Sequence, residues 1–146
     1  MMSNFLLLNG PNLNLLGSRE PEIYGNISLA DIESQLLRIC LEANHSLDSF
    51  QSNAEHDLVN KIHEAKVANV KCIIFNPGAF THSSIALRDA LSGIDIPFIE
   101  VHISNIYSRE DFRQKSYLSD IAEGVISGLG TEGYKLALTV ALKRFS

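Results

Sequence analysis

The sequence predicts an α/β domain: a five-stranded parallel sheet with helices on both faces. Strand-like and helix-like patterns alternate five times along the chain, which is the signature of strand–helix–strand units joined by right-handed crossovers. Residues 70–75 (VKCIIF) form a near-continuous apolar run, as a central parallel strand covered on both faces must. At 146 residues, 45% of them apolar and 20% charged, the chain has the length and composition of one soluble domain spanning 1–146, with one sizeable core.

The first strand is the run Phe5-Leu6-Leu7-Leu8. It leads into a long Asn-, Gly- and Pro-rich stretch, residues 9–25, before any helix starts. Loops of that length in a compact domain are more often functional than accidental. This one carries a guanidinium (Arg19), a phenol (Tyr24) and amides (Asn12, Asn14). Ser28 then has the position of an N-cap, with Asp31 three residues on in capping-box position. Leu29, Ile32, Leu36, Ile39, Cys40 and Ala43 recur at helical spacing up to about Asn44.

Residues 47–51 read as a short strand weakened by Asp48, and Ser52-Asn53 offers the cap of a helix over 55–66 that buries Leu58, Ile62 and Ala65. The third strand runs into residues 76–82, and Ser83 or Ser84 caps a short helix through Leu91. Gly93 and Pro97 punctuate before a fourth strand over 98–102. A polar segment, 104–120, precedes a fifth strand over 124–127. Gly128 and Gly130 make a turn into a closing amphipathic helix over 131–145.

Composition excludes several classes of function. The net charge is -5 and no basic run exceeds Lys143-Arg144, so neither nucleic acid nor an acidic membrane is an expected partner. No apolar stretch approaches the roughly 18 residues a membrane span needs. The N-terminal residues lack the pattern of a secretory signal, and a cytoplasmic protein is expected. Cys40 and Cys72 sit in apolar-patterned segments and not in a CxxC arrangement, which fits small core residues in a reducing compartment.

In open parallel sheets a ligand sits beyond the carboxyl ends of the strands, where the strand order switches. Three segments leave such ends here: 9–24, 76–82 and 102–113. They are also the richest in reactive side chains: Asn12, Arg19, Tyr24, Asn76, His82, His102, Ser104 and Arg113, with Glu100 just before the last of them. Two histidines and a tyrosine suit proton transfer. The guanidiniums suit an anion, and the amides and hydroxyl suit substrate hydroxyls. His82 and His102 stand on different loops without an obvious third ligand, so no metal is expected. No GxxxxGKS/T or GxSxG pattern is present.

Tyr24 is a general base only if its phenol, ordinarily near pKa ~10, is lowered. Arg19, five residues earlier on the same loop, is a neighbour whose charge favours the phenolate. Packing over the loop as an aromatic lid is the alternative role. Glu100 and His102 alternate on a strand and so share a face. There Glu100 can fix the tautomer of an imidazole, or the two form a satisfied core pair. His82 suits a helix cap or a substrate contact, and Arg113 beside Glu110 and Asp111 suits an anion site or a solvated surface.

The segments NGPNLNLLGSREPEIYG, NPGAFTHSSIALRDAL and EVHISNIYSREDFRQKSYLS, with the closing GVISGLGTEGYKLAL, closely resemble type II 3-dehydroquinate dehydratases. The resemblance runs from Leu7 to about Leu142 in the expected order and spacing. It implies a flavodoxin-like fold, assembled as trimers within a dodecamer, with no cofactor. It also implies loss of water from 3-dehydroquinate to give 3-dehydroshikimate, a step on the shikimate route to aromatic amino acids.

Carried over by position, the resemblance makes Tyr24 the base that removes a proton from carbon 2 to give an enolate. Arg19 lowers the Tyr24 pKa, and Asn12 holds a water at the developing enolate oxygen. His102, oriented by Glu100, is the acid that protonates the departing hydroxyl. Asn76, His82 and Arg113 would bind substrate hydroxyls, and Ile103 with Ser104 the carboxylate. Asp89 would reach the site of a neighbouring subunit. Phe80 and Asp120 depart from the tyrosine and proline common in the family, and neither is a chemical residue.

The type I dehydratases work through a lysine Schiff base in a barrel that needs a longer chain than this. The rival reading is a flavodoxin-like ligand-binding module without dehydratase activity. A receiver domain of that fold would want acidic residues after the first strand, where Asn9-Gly10-Pro11-Asn12 stands. A flavin site would want phosphate-binding hydroxyls and glycines there.

Overall fold

The computed structural model describes residues 2–18, 22 and 25–146. Five strands, β1 (Asn4–Asn9), β2 (Ser46–Gln51), β3 (Val70–Asn76), β4 (Phe98–His102) and β5 (Gly124–Ser127), form one sheet in the order β2-β1-β3-β4-β5. All pairings are parallel, and the order is the flavodoxin-like one, which switches direction between β1 and β3. The described α-helices are α1 (Leu29–Glu42), α2 (Glu55–Val67), α3 (Ile85–Ile94) and α4 (Glu132–Phe145).

Side-chain alternation along the strands builds two cores. Phe5 and Leu7 of β1, Cys72 and Ile74 of β3, and Ile99 and Val101 of β4 face α1 and α4. Their neighbours Leu6, Leu8, Ile73, Phe75 and Phe98 face α2 and α3 on the other side. An uninterrupted apolar run is the sequence form of a strand buried on both faces. Glu100 and His102 are in step with Phe98, so they enter the α2/α3 face as polar members of an otherwise apolar row. Both cysteines are free and buried, and burial pushes the Cys72 thiol up to about 12 and Cys40 up to about 11.

The predicted first helix starts as expected. Ser28 Oγ accepts from the Asp31 amide at 3.1 Å, and the Ser28 amide donates to the Asp31 carboxylate at 3.0 Å. Ser84, rather than Ser83, caps α3 by accepting from the Leu87 amide at 2.9 Å. This helix runs past Leu91 and through Gly93, and stops where Asp95 turns left-handed at φ 57°. The cap expected at Ser52-Asn53 is replaced by Ala54, which has no side-chain cap. Asn53 is diverted, because its carbonyl oxygen accepts from the Asn12 amide at 2.9 Å and from Gln51 at 3.1 Å. The polar segment after β4 folds as three single 3-10 turns, Ile106–Ser108, Asp111–Arg113 and Ser119–Ile121.

Candidate active site

The ends of β1 and β3 are level, with Asn9 opposite Asn76, and the loops that leave them interlock. The Gly10 amide donates to the Asn76 carbonyl at 2.8 Å. A Cβ on Gly10 would stand 2.2 Å from the Pro77 oxygen, so no larger residue allows this approach. From the other side Gly78, at φ +59°, passes 3.0 Å from the Pro11 oxygen when given a Cβ. Asn-Gly-Pro after one strand and Asn-Pro-Gly after the next are thus the two halves of one joint.

Beside this joint opens a pocket of about 170 Å³. The β1 loop gives it Asn12 and an apolar wall of Leu13, Leu15 and Leu16; the β3 loop gives Asn76, Gly78, Ala79 and His82. From the β4 end come His102, Ile103 and Ser104, and the following turns add Ile106, Arg109 and Arg113. The location is the switch point expected of an open parallel sheet. Of the residues singled out in the sequence, Asn12, Asn76, His82, His102, Ile103, Ser104 and Arg113 therefore meet around one cavity.

Glu100 stands behind the wall of this cavity. Its carboxylate is 0% exposed and lies 2.5 Å from His102 Nε2. An ionised carboxylate only accepts hydrogen bonds, so Nε2 carries the proton of that contact and Nδ1 is the ring nitrogen left for a substrate. His102 itself is only 5% exposed. His82 is held the other way round, with Nδ1 2.8 Å from the Lys115 carbonyl. That nitrogen donates, and Nε2 remains an acceptor. Burial lowers the His82 pKa, and the positive charge of His102 and Arg113 lowers it further, against the Lys115 carbonyl. A neutral His82 can therefore accept from a substrate hydroxyl.

Asn76 is nearly buried and its amide is already engaged. Its Nδ2 donates to the Tyr134 hydroxyl at 2.8 Å, and its Oδ1 accepts from the Gly78 amide at 3.1 Å. One further N–H is left for a ligand. Arg113 lies 3.1 and 3.2 Å from the two Glu110 oxygens and stacks 5.1 Å from the Phe112 ring centroid. Ser104 Oγ accepts from Arg109 at 3.4 Å, placing a second guanidinium at the mouth of the pocket. Asn12 is left-handed at φ 69°, a conformation asparagine tolerates better than most residues.

One described site residue expected from the sequence, Asp89, is not at this cavity. Asp89 lies on the exposed face of α3, in a shallow depression with Ile85, Arg88 and Asp120. Arg19 and Tyr24 lie outside the described residues. Among the described residues no group of three or more His, Cys, Asp or Glu side chains could hold a metal ion.

A model of the family described as "Dehydroquinase class II" matches residues 3–142. This chain belongs to the class II dehydroquinase family. It is 62% identical to the 3-dehydroquinate dehydratase of Proteus mirabilis, with all of both chains covered. It is also 62% identical to that of Alkalilimnicola ehrlichii, over 98% of this chain and 94% of the relative. Among solved structures, the type II dehydroquinase of Butyrivibrio crossotus superposes with a TM-score of 0.93 at 41% identity, and that of Propionibacterium acnes with 0.91 at 41%. Each structure covers 97% of this chain and 98% of its own.

Within the class II dehydroquinase fold, several residues around the site were not singled out from sequence. Arg109 repeats the charge of Arg113 four residues earlier and so carried a signal. Tyr134 falls on the buried stripe of α4 with Ala137, Leu138 and Ala141. A tyrosine on such a stripe needs a partner for its hydroxyl, and here it donates to Asn9 Oδ1 at 2.6 Å. Gln51 joins the amide cluster under the β1 loop, donating to the Gly10 carbonyl at 3.1 Å. Ser116 and Ser119, both bonded to Glu100, gave no signal, because they lie in an irregular segment with no periodicity to place them.

Proposed function

We propose that this protein is a lyase that dehydrates 3-dehydroquinate to 3-dehydroshikimate on the shikimate route, without a Schiff base. The observation that carries the reading is the buried Glu100–His102 pair at the wall of a polar pocket, in a chain of the class II dehydroquinase family. A binding module has no need of an imidazole whose tautomer is set by a buried carboxylate; an acid catalyst does.

In this reading Tyr24, its phenol made more acidic by Arg19, removes the proton from carbon 2. Asn12 holds a water against the enolate oxygen that forms. His102 then gives its Nδ1 proton to the leaving hydroxyl, the carbon–oxygen bond breaks, and the enolate electrons close the new double bond. Glu100 receives the Nε2 hydrogen bond and balances the charge of the imidazolium that acts as the acid. Asn76, His82 and Arg113 bind the substrate hydroxyls, and the Ile103-Ser104 stretch binds the carboxylate.

The protein works as a cytoplasmic dodecamer built from trimers, in which Asp89 serves a neighbouring site. The position of Asp89 on an exposed helix face, away from its own pocket, supports that part of the reading. No described helix is long and apolar enough to cross a membrane. The test is a direct assay with 3-dehydroquinate, following the ultraviolet absorbance of the conjugated product with and without borohydride. Turnover that survives borohydride is the expected result. No turnover by a properly assembled oligomer would contradict it and favour the binding-module reading.

A further inference from the structure

Glu100 does more than face His102. Its Oε1 accepts from Ser116 Oγ at 3.2 Å and from Ser119 Oγ at 3.0 Å, and Ser119 Oγ also lies 3.1 Å from Oε2. With His102 at 2.5 Å, this fully buried carboxylate is surrounded by donors. The two serines stand on a turn that is itself fixed. Ser116 Oγ accepts from the amides of Leu118 and Ser119 at 3.0 and 3.1 Å. From α3, Arg88 donates to the Tyr117 carbonyl at 2.8 Å and to the Asp120 carboxylate at 3.0 Å.

We propose that Ser116 and Ser119 are positioning residues of the dehydration, a hydroxyl clamp that keeps Glu100 an acceptor and so keeps the shared proton on His102 Nε2. The proposal rests on the dehydratase reading. Only a doubly protonated, cationic ring makes Nδ1–H a useful acid, because a neutral imidazole holds its remaining proton far too tightly. Hydrogen bonds to the charged form of a carboxylate favour that form. Remove them, and the shared proton moves toward Glu100. The ring is then a poorer acid catalyst, while the pocket lining, which includes neither serine, is untouched. The other charged or titratable groups near the pair are His82 and Arg113. Neither donates to Glu100 in the described contacts, so the serines alone hold its far side.

Ser119 is the sharper probe, since the hydroxyl of Ser116 also supports the turn. The wild type is assayed first, because an inactive wild type overturns the dehydratase reading and not the clamp. Ser119→Ala is then expected to lower kcat by about tenfold to a hundredfold, the loss of one hydrogen bond to a charged group, with KM within about twofold of wild type. Ser119→Thr, which keeps the hydroxyl, restores most of the loss.

The base step does not use the clamp. Exchange of the carbon 2 proton with solvent deuterium should therefore persist in Ser119→Ala, and the ratio of exchange to water loss should rise. An unchanged kcat, or exchange and elimination slowed in equal measure, would overturn the proposal. Should Ser119→Ala fail to fold, ¹⁵N spectra of the His102 ring in the wild-type protein decide the matter. Protonated Nε2 in the resting enzyme supports the clamp, and a bare Nε2 overturns it.

Discussion

Two hydrogen-bonded networks lie under the same pocket, one neutral and one charged. Tyr134, Asn9 and Asn76 join α4 to the ends of β1 and β3 through neutral groups. Glu100, His102, Ser116 and Ser119 join β4 to the turns after it through a carboxylate. Burial holds the Tyr134 phenol far above its usual range, so it stays a neutral donor at any working pH. That network can align strand ends but cannot deliver a proton. The charged network can deliver one, at the cost of burying a carboxylate that needs every donor it has. Position under a pocket therefore does not make a residue catalytic; the capacity to change protonation does.

Substitutions in the two networks should separate accordingly. His102→Gln keeps a donor for Glu100 but loses the proposed acid. It is expected to lower kcat by about 10²–10⁴-fold, the usual worth of a general acid, with little change in the thermal midpoint. Tyr24→Phe belongs with it, because it removes the proposed proton acceptor while keeping the ring; near-normal turnover would sink Tyr24 as the base. Glu100→Gln keeps the volume and removes the charge. A drop in kcat of about 10–100-fold with KM nearly constant is expected, and a loss confined to KM would break the distinction between the networks.

Tyr134→Phe should behave in the opposite way. It leaves Asn9 Oδ1 and Asn76 Nδ2 without their partner in a site with 0% exposure at Tyr134. A loss of about 1–3 kcal/mol in denaturant unfolding is expected, with kcat near wild type and a modest rise in KM through Asn76. Smaller still is the effect of pH through His82. Its folded-state pKa lies below the ordinary 6.5, so the unfolded chain binds the proton more readily. Its contribution to stability is thus present above about pH 6.5 and is lost as pH falls through the folded-state value. Comparing urea midpoints of wild type and His82→Gln across that window isolates the term. A wild-type advantage that grows on acidification would contradict the sign.

The sheet and its two-sided core were legible because alternation does not depend on distant residues. Phe5-Leu6-Leu7-Leu8 and the run 70–75 announce strands covered on both faces, and the structure divides alternate members of 5–8 and of 72–75 between two helix layers. The Glu100–His102 contact was legible for the same reason, since two residues apart on a strand means one face. What stayed hidden is what turns and loops supply. The cap of α2 was misplaced because Asn53 serves the Asn12 amide instead, a partner 41 positions away. The serines of the clamp reach Glu100 across separations of 16 and 19 residues in single-turn structure, where no period exists to read. Tyr134 sat in plain view on a helix stripe, but only the three-dimensional pairing names Asn9 and Asn76 as its partners.

The most direct test of this account measures Glu100→Gln and Tyr134→Phe side by side, taking kcat with 3-dehydroquinate and the denaturant midpoint of each. The account predicts a crossed result: Glu100→Gln loses turnover and keeps most of its midpoint, while Tyr134→Phe loses midpoint and keeps most of its turnover. Equal losses of turnover in the two variants would contradict it, because the charge under the pocket would then matter no more than the scaffold.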